Sequence, residues 1–148
     1  MCGIVGIISN QSHQKINLSL DKIAHRGPDS HGIYSHENLS LGHRRLSIID
    51  LSENGHQPMI SNCGNFVLIF NGEIYNYLEL RKELEFKGYT FKSTGDAEVL
   101  LYAFIEWKEK CLLRFNGMWS FAIWDNEEKS LFLSRDRFGK KPLFYAFV

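Results

Sequence analysis

Short apolar runs separated by turn residues dominate the hydrophobic pattern of the chain. Runs rich in Ile, Val, Leu and Phe are typical of buried strands. In the first half of the chain they predict strands over Gly3–Ser9, Gly32–Tyr34, Leu39–Gly42, Arg45–Ile49 and Phe66–Phe70. The last of these is predicted to end at a sharp turn at Asn71-Gly72. Further β-rich segments follow later in the chain, namely MWSFAIWD (118–125), KSLFLSRD (129–136) and KPLFYAF (141–147).

Other segments have the apolar spacing of three and four residues that is typical of amphipathic helices. The spacing is weak over Leu18–Ala24 and clearer over Tyr77–Phe86, where Asn76 is predicted to cap the helix. Asp96 precedes a further helix, predicted over Ala97–Trp107. Strands, two helices and then strands again predict an α+β layered domain rather than alternating βαβ units.

The composition indicates one neutral globular domain. The chain has 148 residues, 44% of them hydrophobic, which suffices for one substantial core and is too short for two typical domains. Lys plus Arg and Asp plus Glu both number 17, so no net charge attracts nucleic acid or an anionic membrane. Three cysteines at unrelated spacings, without a CxxC pair, argue against a zinc site and favour a reducing, cytoplasmic setting.

The position of Cys2, directly behind Met1 and ahead of an apolar run, allows three interpretations. It could be a buried thiol at the start of a strand, an acylation or metal site, or a nucleophile that becomes N-terminal when Met1 is removed. Taken alone, the buried thiol is the simplest. In the same way, Asn71-Gly72 alone is typical of a hairpin turn, Arg45 of a solvated surface charge and Asp96 of a helix cap.

Several motifs in a fixed order nevertheless resemble the class II glutamine amidotransferase domain, an N-terminal nucleophile hydrolase, in the form found in asparagine synthases. They span essentially the whole chain: MCGIVGI (1–7), HRGPDS (25–30), GHRRLSIIDL (42–51), FNGEIYNY (70–77), STGDAEVLL (93–101), FNGMWSFAIWD (115–125) and SRDRFGKKPLFY (134–145). The resemblance implies a four-layer αββα sandwich of two antiparallel sheets.

This resemblance implies a glutaminase that hydrolyses L-glutamine to glutamate and ammonia through a thioester on Cys2. After removal of Met1, the α-amine of Cys2 can act as the general base. Asn71 and Gly72 match the family's oxyanion hole, which stabilises negative charge on the amide oxygen during attack.

The resemblance also implies a pocket that recognises free glutamine. Arg45 matches the family's carboxylate-binding arginine, whose planar fork suits a bidentate contact. Asp96 matches the acid that pairs with the ammonium group of the substrate. Glu73 and the backbone groups of Leu46 and Ile48 are the further contacts expected in this pocket.

In this family the glutaminase supplies ammonia to a synthetase domain or subunit. The sequence contains no SGGxDS-type ATP-binding loop, so ATP and Mg²⁺ are expected only in the missing synthetase domain, and no cofactor or metal in this chain. The segment HRRLSIIDL favours asparagine synthase-type amidation over an amino-sugar or purine-precursor acceptor. Because residues 147–148 fall inside what resembles a strand, domain 1–148 is expected to be truncated at its C-terminal end. A non-catalytic or regulatory glutamine-binding remnant is the alternative.

Overall fold

The computed structural model, which describes residues 1–147, contains two antiparallel β-sheets and three α-helices within that range. The elements in chain order are β1 (Gly3–Ile8), α1 (Ser12–Lys22), β2 (Ser30–His36), β3 (Leu39–Arg45), β4 (Met59–Ile60), β5 (Phe66–Ile74), α2 (Tyr77–Phe86), α3 (Asp96–Trp107), β6 (Gly117–Asp125) and β7 (Ser130–Arg135). One sheet has the strand order β1-β3-β2, and the other has the order β4-β5-β6-β7.

The two sheets face each other, and helices cover their outer faces. Helix α1 packs on the three-stranded sheet through buried Ile16 and Leu20, and Gly42 of β3 leaves the room that Leu20 needs. Helices α2 and α3 share an apolar cluster with the four-stranded sheet. A second cluster fills the space between the sheets and contains Leu39, Leu41, Val67, Ile69, Ala122 and Trp124. The predicted α+β class and four-layer αββα sandwich are therefore confirmed.

The continuous apolar run of β5 follows from its position between two apolar layers. Phe66, Leu68 and Phe70 belong to the cluster shared with the helices. Val67 and Ile69 point to the opposite side and belong to the cluster between the sheets. Because both faces of the strand are buried, every position in this stretch is apolar instead of every second one.

The predicted turn at Asn71-Gly72 is wrong. Strand β5 continues through both residues to Ile74 and stays paired with β6, with Asn71 opposite Ser120 and Gly72 opposite Trp119. Glycine is required here for close approach, since a Cβ atom at position 72 would overlap the Met118 carbonyl oxygen and lie 2.8 Å from the Trp119 Cα. The Asn-Gly pair therefore lies inside a central strand.

Two of the predicted strands also differ from the structure. Of the segment 45–49, only Arg45 belongs to a strand, because its guanidinium turns inward and binds the carbonyls of Asp50 and Ser52. The segment 141–147 forms no strand. Pro142 in that segment lacks the backbone N–H that a ladder partner would need.

Helices α2 and α3 agree with their predicted limits to within one residue. Helix α2 is confirmed at Tyr77–Phe86. Its predicted cap is wrong, because the Asn76 side chain instead donates to the Arg114 carbonyl and accepts from the Asn116 N–H. Helix α3 begins one residue earlier than predicted, at Asp96.

The first helix was predicted at 18–24 and instead spans Ser12–Lys22. Its buried positions, Ser12, Ile16 and Leu20, are four residues apart. The small polar Ser12 carries no hydrophobic signal, which is why the sequence pattern missed the first turns. Within residues 1–147, none of the helices combines the length and apolar character needed to cross a membrane.

Candidate active site

A cavity of about 190 Å³ lies where the C-terminal end of β3, the strand β5, the first turn of α3 and the N-terminal residues meet. All the residues that the sequence analysis proposed for the site line this cavity, although they are far apart in the chain. They are Cys2, Arg45, Leu46, Ile48, Asn71, Gly72, Glu73 and Asp96. Their chemical roles stay predictions.

Cys2 lies at the cavity wall immediately before β1. Its Sγ accepts a hydrogen bond from the Leu46 backbone N–H at 3.4 Å and lies 3.6 Å from the Leu46 carbonyl oxygen. The Cys2 carbonyl accepts a hydrogen bond from Arg26 Nε at 3.0 Å. These contacts fix the position of the thiol. Because Cys2 is only half-buried, the thiol stays accessible from the cavity.

Asn71 offers a hydrogen-bond donor to the cavity. The residue is 5% exposed, and within residues 1–147 its side-chain amide makes no hydrogen bond to the protein. A buried amide is ordinarily paired, so an amide that faces a cavity without a protein partner is suited to bind a ligand oxygen. Gly72, the next residue, lines the same wall.

Arg45 is buried, and part of its hydrogen-bonding capacity is already used. Nη1 donates to the Ser52 carbonyl at 2.9 Å, and Nη2 donates to the Asp50 carbonyl. A guanidinium carries five N–H groups, so three remain for a ligand. These two bonds also fold the loop after β3 back over the guanidinium, with Gly55 packed against it.

Asp50, which the sequence analysis missed, anchors the same loop. Its carboxylate accepts hydrogen bonds from the Ser52 N–H at 2.8 Å, the Ser52 hydroxyl at 2.6 Å and the Thr94 N–H at 2.7 Å. Burial alone would raise the pKa of Asp50, but these hydrogen bonds outweigh it and lower the pKa to about 2. The ionised Asp50 therefore ties the loop after β3 to the segment before α3.

Asp96 is a buried carboxyl group at the start of α3. Burial raises its pKa to about 6, and the neighbouring charge of Glu73 acts in the same direction. The Ile74 N–H, which donates to Oδ2 at 2.9 Å, opposes this rise. The carboxylate is therefore ionised above about pH 6 and lies where the helix N-terminus also favours negative charge.

Two further buried residues hold the backbone beside Asn71, and no local sequence signal identified them. Gln57 Oε1 accepts a hydrogen bond from the Phe70 N–H at 2.7 Å, and His43 Nε2 lies 3.1 Å from the Phe70 carbonyl oxygen. Burial is the main cause that lowers the pKa of His43 to about 4, with smaller contributions from His56 and Arg45. His43 is therefore neutral near pH 7, and its Nε2–H donates to Phe70.

The lowered pKa of His43 should make the free energy of unfolding depend on pH. Its pKa is about 4 in the folded state against an ordinary value of 6.5, so the unfolded chain binds one more proton between these values. Stability is therefore lost as the pH falls below about 6.5. We expect wild type to lose roughly 3 kcal/mol more than His43→Gln between about pH 7 and about pH 4.

Urea unfolding of both proteins across this range measures the difference. The raised pKa of Asp96 increases stability as the pH falls over nearly the same range. Both proteins contain Asp96, so its contribution cancels when their unfolding free energies are compared. Parallel curves of unfolding free energy against pH would contradict the assignment of a buried neutral His43.

Residues 1–148 match the family model described as a glutamine amidotransferase domain. The chain belongs to this family. Within residues 1–147 of this amidotransferase domain, no group of three or more His, Cys, Asp or Glu side chains is arranged to hold a metal ion.

Curated relatives of the amidotransferase domain include asparagine synthetases. The chain is 44% identical over 155 residues to the glutamine-hydrolyzing asparagine synthetase 1 of Bacillus subtilis (strain 168), covering 100% of this chain and 24% of that protein. It is 42% identical over 167 residues to the putative asparagine synthetase 2 of Methanocaldococcus jannaschii, covering 98% of this chain and 32% of the relative. The domain thus spans about a quarter to a third of the length of these relatives.

A solved structure shows the same fold. Glutamine phosphoribosylpyrophosphate amidotransferase from B. subtilis superimposes with a TM-score of 0.78 over 92% of this chain and 37% of that chain. The two sequences are 19% identical over this match. The two proteins therefore share this fold although their sequences are largely different.

Proposed function

We propose that this amidotransferase domain hydrolyses L-glutamine to glutamate and ammonia through a γ-glutamyl thioester on Cys2. The observation that carries this proposal is the convergence of Cys2, Asn71, Arg45 and Asp96 on a single cavity. A thiol, an unpaired amide donor, a guanidinium and a carboxylate are the groups that this chemistry and this substrate require.

The covalent step begins when Met1 has been removed and the Cys2 α-amine is free. The amine takes the thiol proton, directly or through a water, and Sγ attacks the side-chain amide carbon of glutamine. The C–S bond forms, and negative charge develops on the amide oxygen. The Asn71 side-chain amide and the Gly72 N–H stabilise this oxyanion.

The intermediate then collapses. The C–N bond breaks, and ammonia leaves with the proton that the Cys2 amine had accepted. Water attacks the resulting thioester, the C–S bond breaks, and glutamate leaves while the thiol regains a proton. Because the cycle needs no oxidant, metal or nucleotide, ATP and Mg²⁺ belong to the acceptor reaction of a synthetase domain.

Charge recognition restricts the pocket to free glutamine. The N–H groups of Arg45 that the loop carbonyls do not use bind the α-carboxylate of the substrate. The ionised Asp96 pairs with its ammonium group, with Glu73 beside it. Leu46 and Ile48 also line the pocket, and the Leu46 backbone N–H contacts the thiol.

This role of Asp96 predicts a pH dependence of glutamine affinity. The carboxyl group is neutral below its pKa of about 6, so it no longer attracts the substrate ammonium. We expect KM for glutamine to rise about tenfold for each pH unit below 6. Steady-state kinetics of Asp96→Asn should show a high KM that does not vary across this range. A wild-type KM that is constant down to about pH 5 would contradict the assignment.

The ammonia is used in an asparagine synthase-type amidation by a synthetase domain or subunit. This part of the proposal rests on the similarity of the domain to glutamine-hydrolyzing asparagine synthetases. A thiol nucleophile works only while reduced, which is consistent with a cytoplasmic setting.

The proposed function is tested with the purified chain from which Met1 has been removed. Glutamate and ammonia should form in equal amounts from glutamine and not from asparagine, whose side chain is one methylene shorter. An electrophilic glutamine analogue should label Cys2 and leave Cys63, which is exposed elsewhere, unlabelled. Glutamine binding without glutamate formation would instead favour a regulatory glutamine-binding domain.

A further inference from the structure

Lys141 is a buried lysine for which the proposed chemistry has no role. The residue is 4% exposed and lines the same cavity as Cys2. Burial of an ammonium group costs free energy unless a counter-charge or hydrogen bonds compensate. Within residues 1–147, Lys141 has no carboxylate within salt-bridge distance, and Nζ instead lies 2.7 Å from Met1 Sδ.

The position of Lys141 is fixed by a tight turn after β7. Asp136 organises this turn, because its carboxylate accepts hydrogen bonds from the backbone N–H groups of Lys141 at 2.9 Å, Lys140 at 2.9 Å and Phe138 at 3.1 Å. The same carboxylate accepts from the Trp119 N–H at 3.3 Å, which ties the turn to β6. The backbone of Lys141 is therefore held beside the cavity through Asp136 and β6.

Removal of Met1 changes the surroundings of this ammonium group. It takes away the side chain that Nζ contacts and creates a new amino group on the adjacent residue, Cys2. Lys141 and Cys2, the residue that carries the nucleophile and its base, line the same cavity.

We propose that Lys141 is a positioning residue for the nucleophile, one that acts through its charge on the α-amine and thiol of Cys2. The inference rests on the proposed function, because it assumes a mature chain that begins at Cys2. A nearby positive charge disfavours the protonated amine and favours the thiolate. Both effects lower the pH at which Cys2 becomes reactive.

Other charged groups around the cavity are held in place by their own hydrogen bonds. The Asp50 carboxylate is bound by Ser52 and Thr94, and Asp96 by the Ile74 N–H. Two guanidinium groups are also tied to the backbone, since Arg45 binds loop carbonyls and Arg26 binds the Cys2 carbonyl. Glu73 also lines the cavity, whereas Arg26 does not. Because all of them persist when Lys141 is replaced, a change in Cys2 reactivity reports on Lys141 itself.

The test measures the rate at which iodoacetamide alkylates Cys2, by peptide mass spectrometry, from about pH 6 to about pH 9. The proteins are chains lacking Met1 that carry Lys141→Met, Lys141→Arg or the matched control Lys140→Met, at an exposed neighbouring lysine. We expect Lys141→Met to shift the reactivity curve of Cys2 upward by about one pH unit, which lowers the rate about tenfold near neutral pH. Lys141→Arg and Lys140→Met should follow wild type.

Exposed Cys63 gives an internal reference in every sample, and its alkylation rate should be the same in all four proteins. If Lys141→Met does not fold, Lys141→Gln replaces it as the neutral variant. An unshifted Cys2 curve, or an equal shift in Lys140→Met, overturns the proposal. Because alkylation needs no glutamine turnover, failure of the proposed function would show separately, as absence of glutamate formation by wild type.

Discussion

The variant Cys2→Ala, prepared without Met1, is expected to release ammonia from glutamine at least roughly 10³-fold more slowly than wild type. The loss is large because both the nucleophile and the thioester route depend on the Cys2 sulfur. Cys2→Ser should retain at most weak activity, since a hydroxyl is a far poorer nucleophile than a thiol near neutral pH. Initial rates of glutamate formation measure both variants.

The matched control is Cys63→Ala, which removes an exposed thiol outside the cavity and should leave the rate unchanged. Glutamine should still protect Cys2→Ala against thermal unfolding, because Arg45 and Asp96 remain. A Cys2→Ala variant that keeps a tenth or more of the wild-type rate would contradict a nucleophilic role for Cys2.

Asn71→Ala is expected to lower kcat by roughly 10²-fold to 10³-fold and to leave KM for glutamine nearly unchanged. The amide donates to charge that develops only during attack, so its loss affects the transition state and not the bound substrate. The side chain has no hydrogen-bond partner among residues 1–147, so its removal should cost little stability. Steady-state kinetics and thermal unfolding separate these two effects.

Asn76→Ala provides the structural comparison for this variant. The Asn76 amide binds the Arg114 carbonyl and the Asn116 N–H, away from the cavity. Its loss should lower the free energy of unfolding by about 1 kcal/mol or more while kcat is retained. If Asn71→Ala behaved like Asn76→Ala, losing stability but keeping kcat, its assignment to the oxyanion hole would be wrong.

The spacing of apolar residues predicted those helices and strands in which buried side chains recur at a regular interval. The helix Tyr77–Phe86 was predicted with its observed limits because Leu80 and Leu84 face the core at helical spacing. The continuation of β5 through Asn71-Gly72 could not be predicted in this way. It depends on pairing with β6, nearly fifty positions away in the sequence, and on a backbone approach that only glycine permits.

Some residues of the site could be predicted from the sequence, and others are identified only in the folded structure. Cys2, Arg45, Asn71 and Asp96 were predicted from resemblance to a family, because each alone fits a simpler structural role. Residues such as His43 and Lys141 were missed, since each contacts a partner distant in the chain, Phe70 for His43 and Met1 for Lys141. Only the folded arrangement of the two sheets brings these pairs together.

Whether Cys2 acts as an N-terminal nucleophile is decided by ammonia release from glutamine by two otherwise identical chains. One chain keeps Met1 and the other lacks it, as verified by intact mass. The nitrogen of Cys2 is an amide in the first chain and cannot accept a proton near neutral pH, whereas it is a free amine in the second. We expect ammonia release by the chain that lacks Met1 and none by the chain that keeps it. Equal rates from the two chains would contradict this role of Cys2.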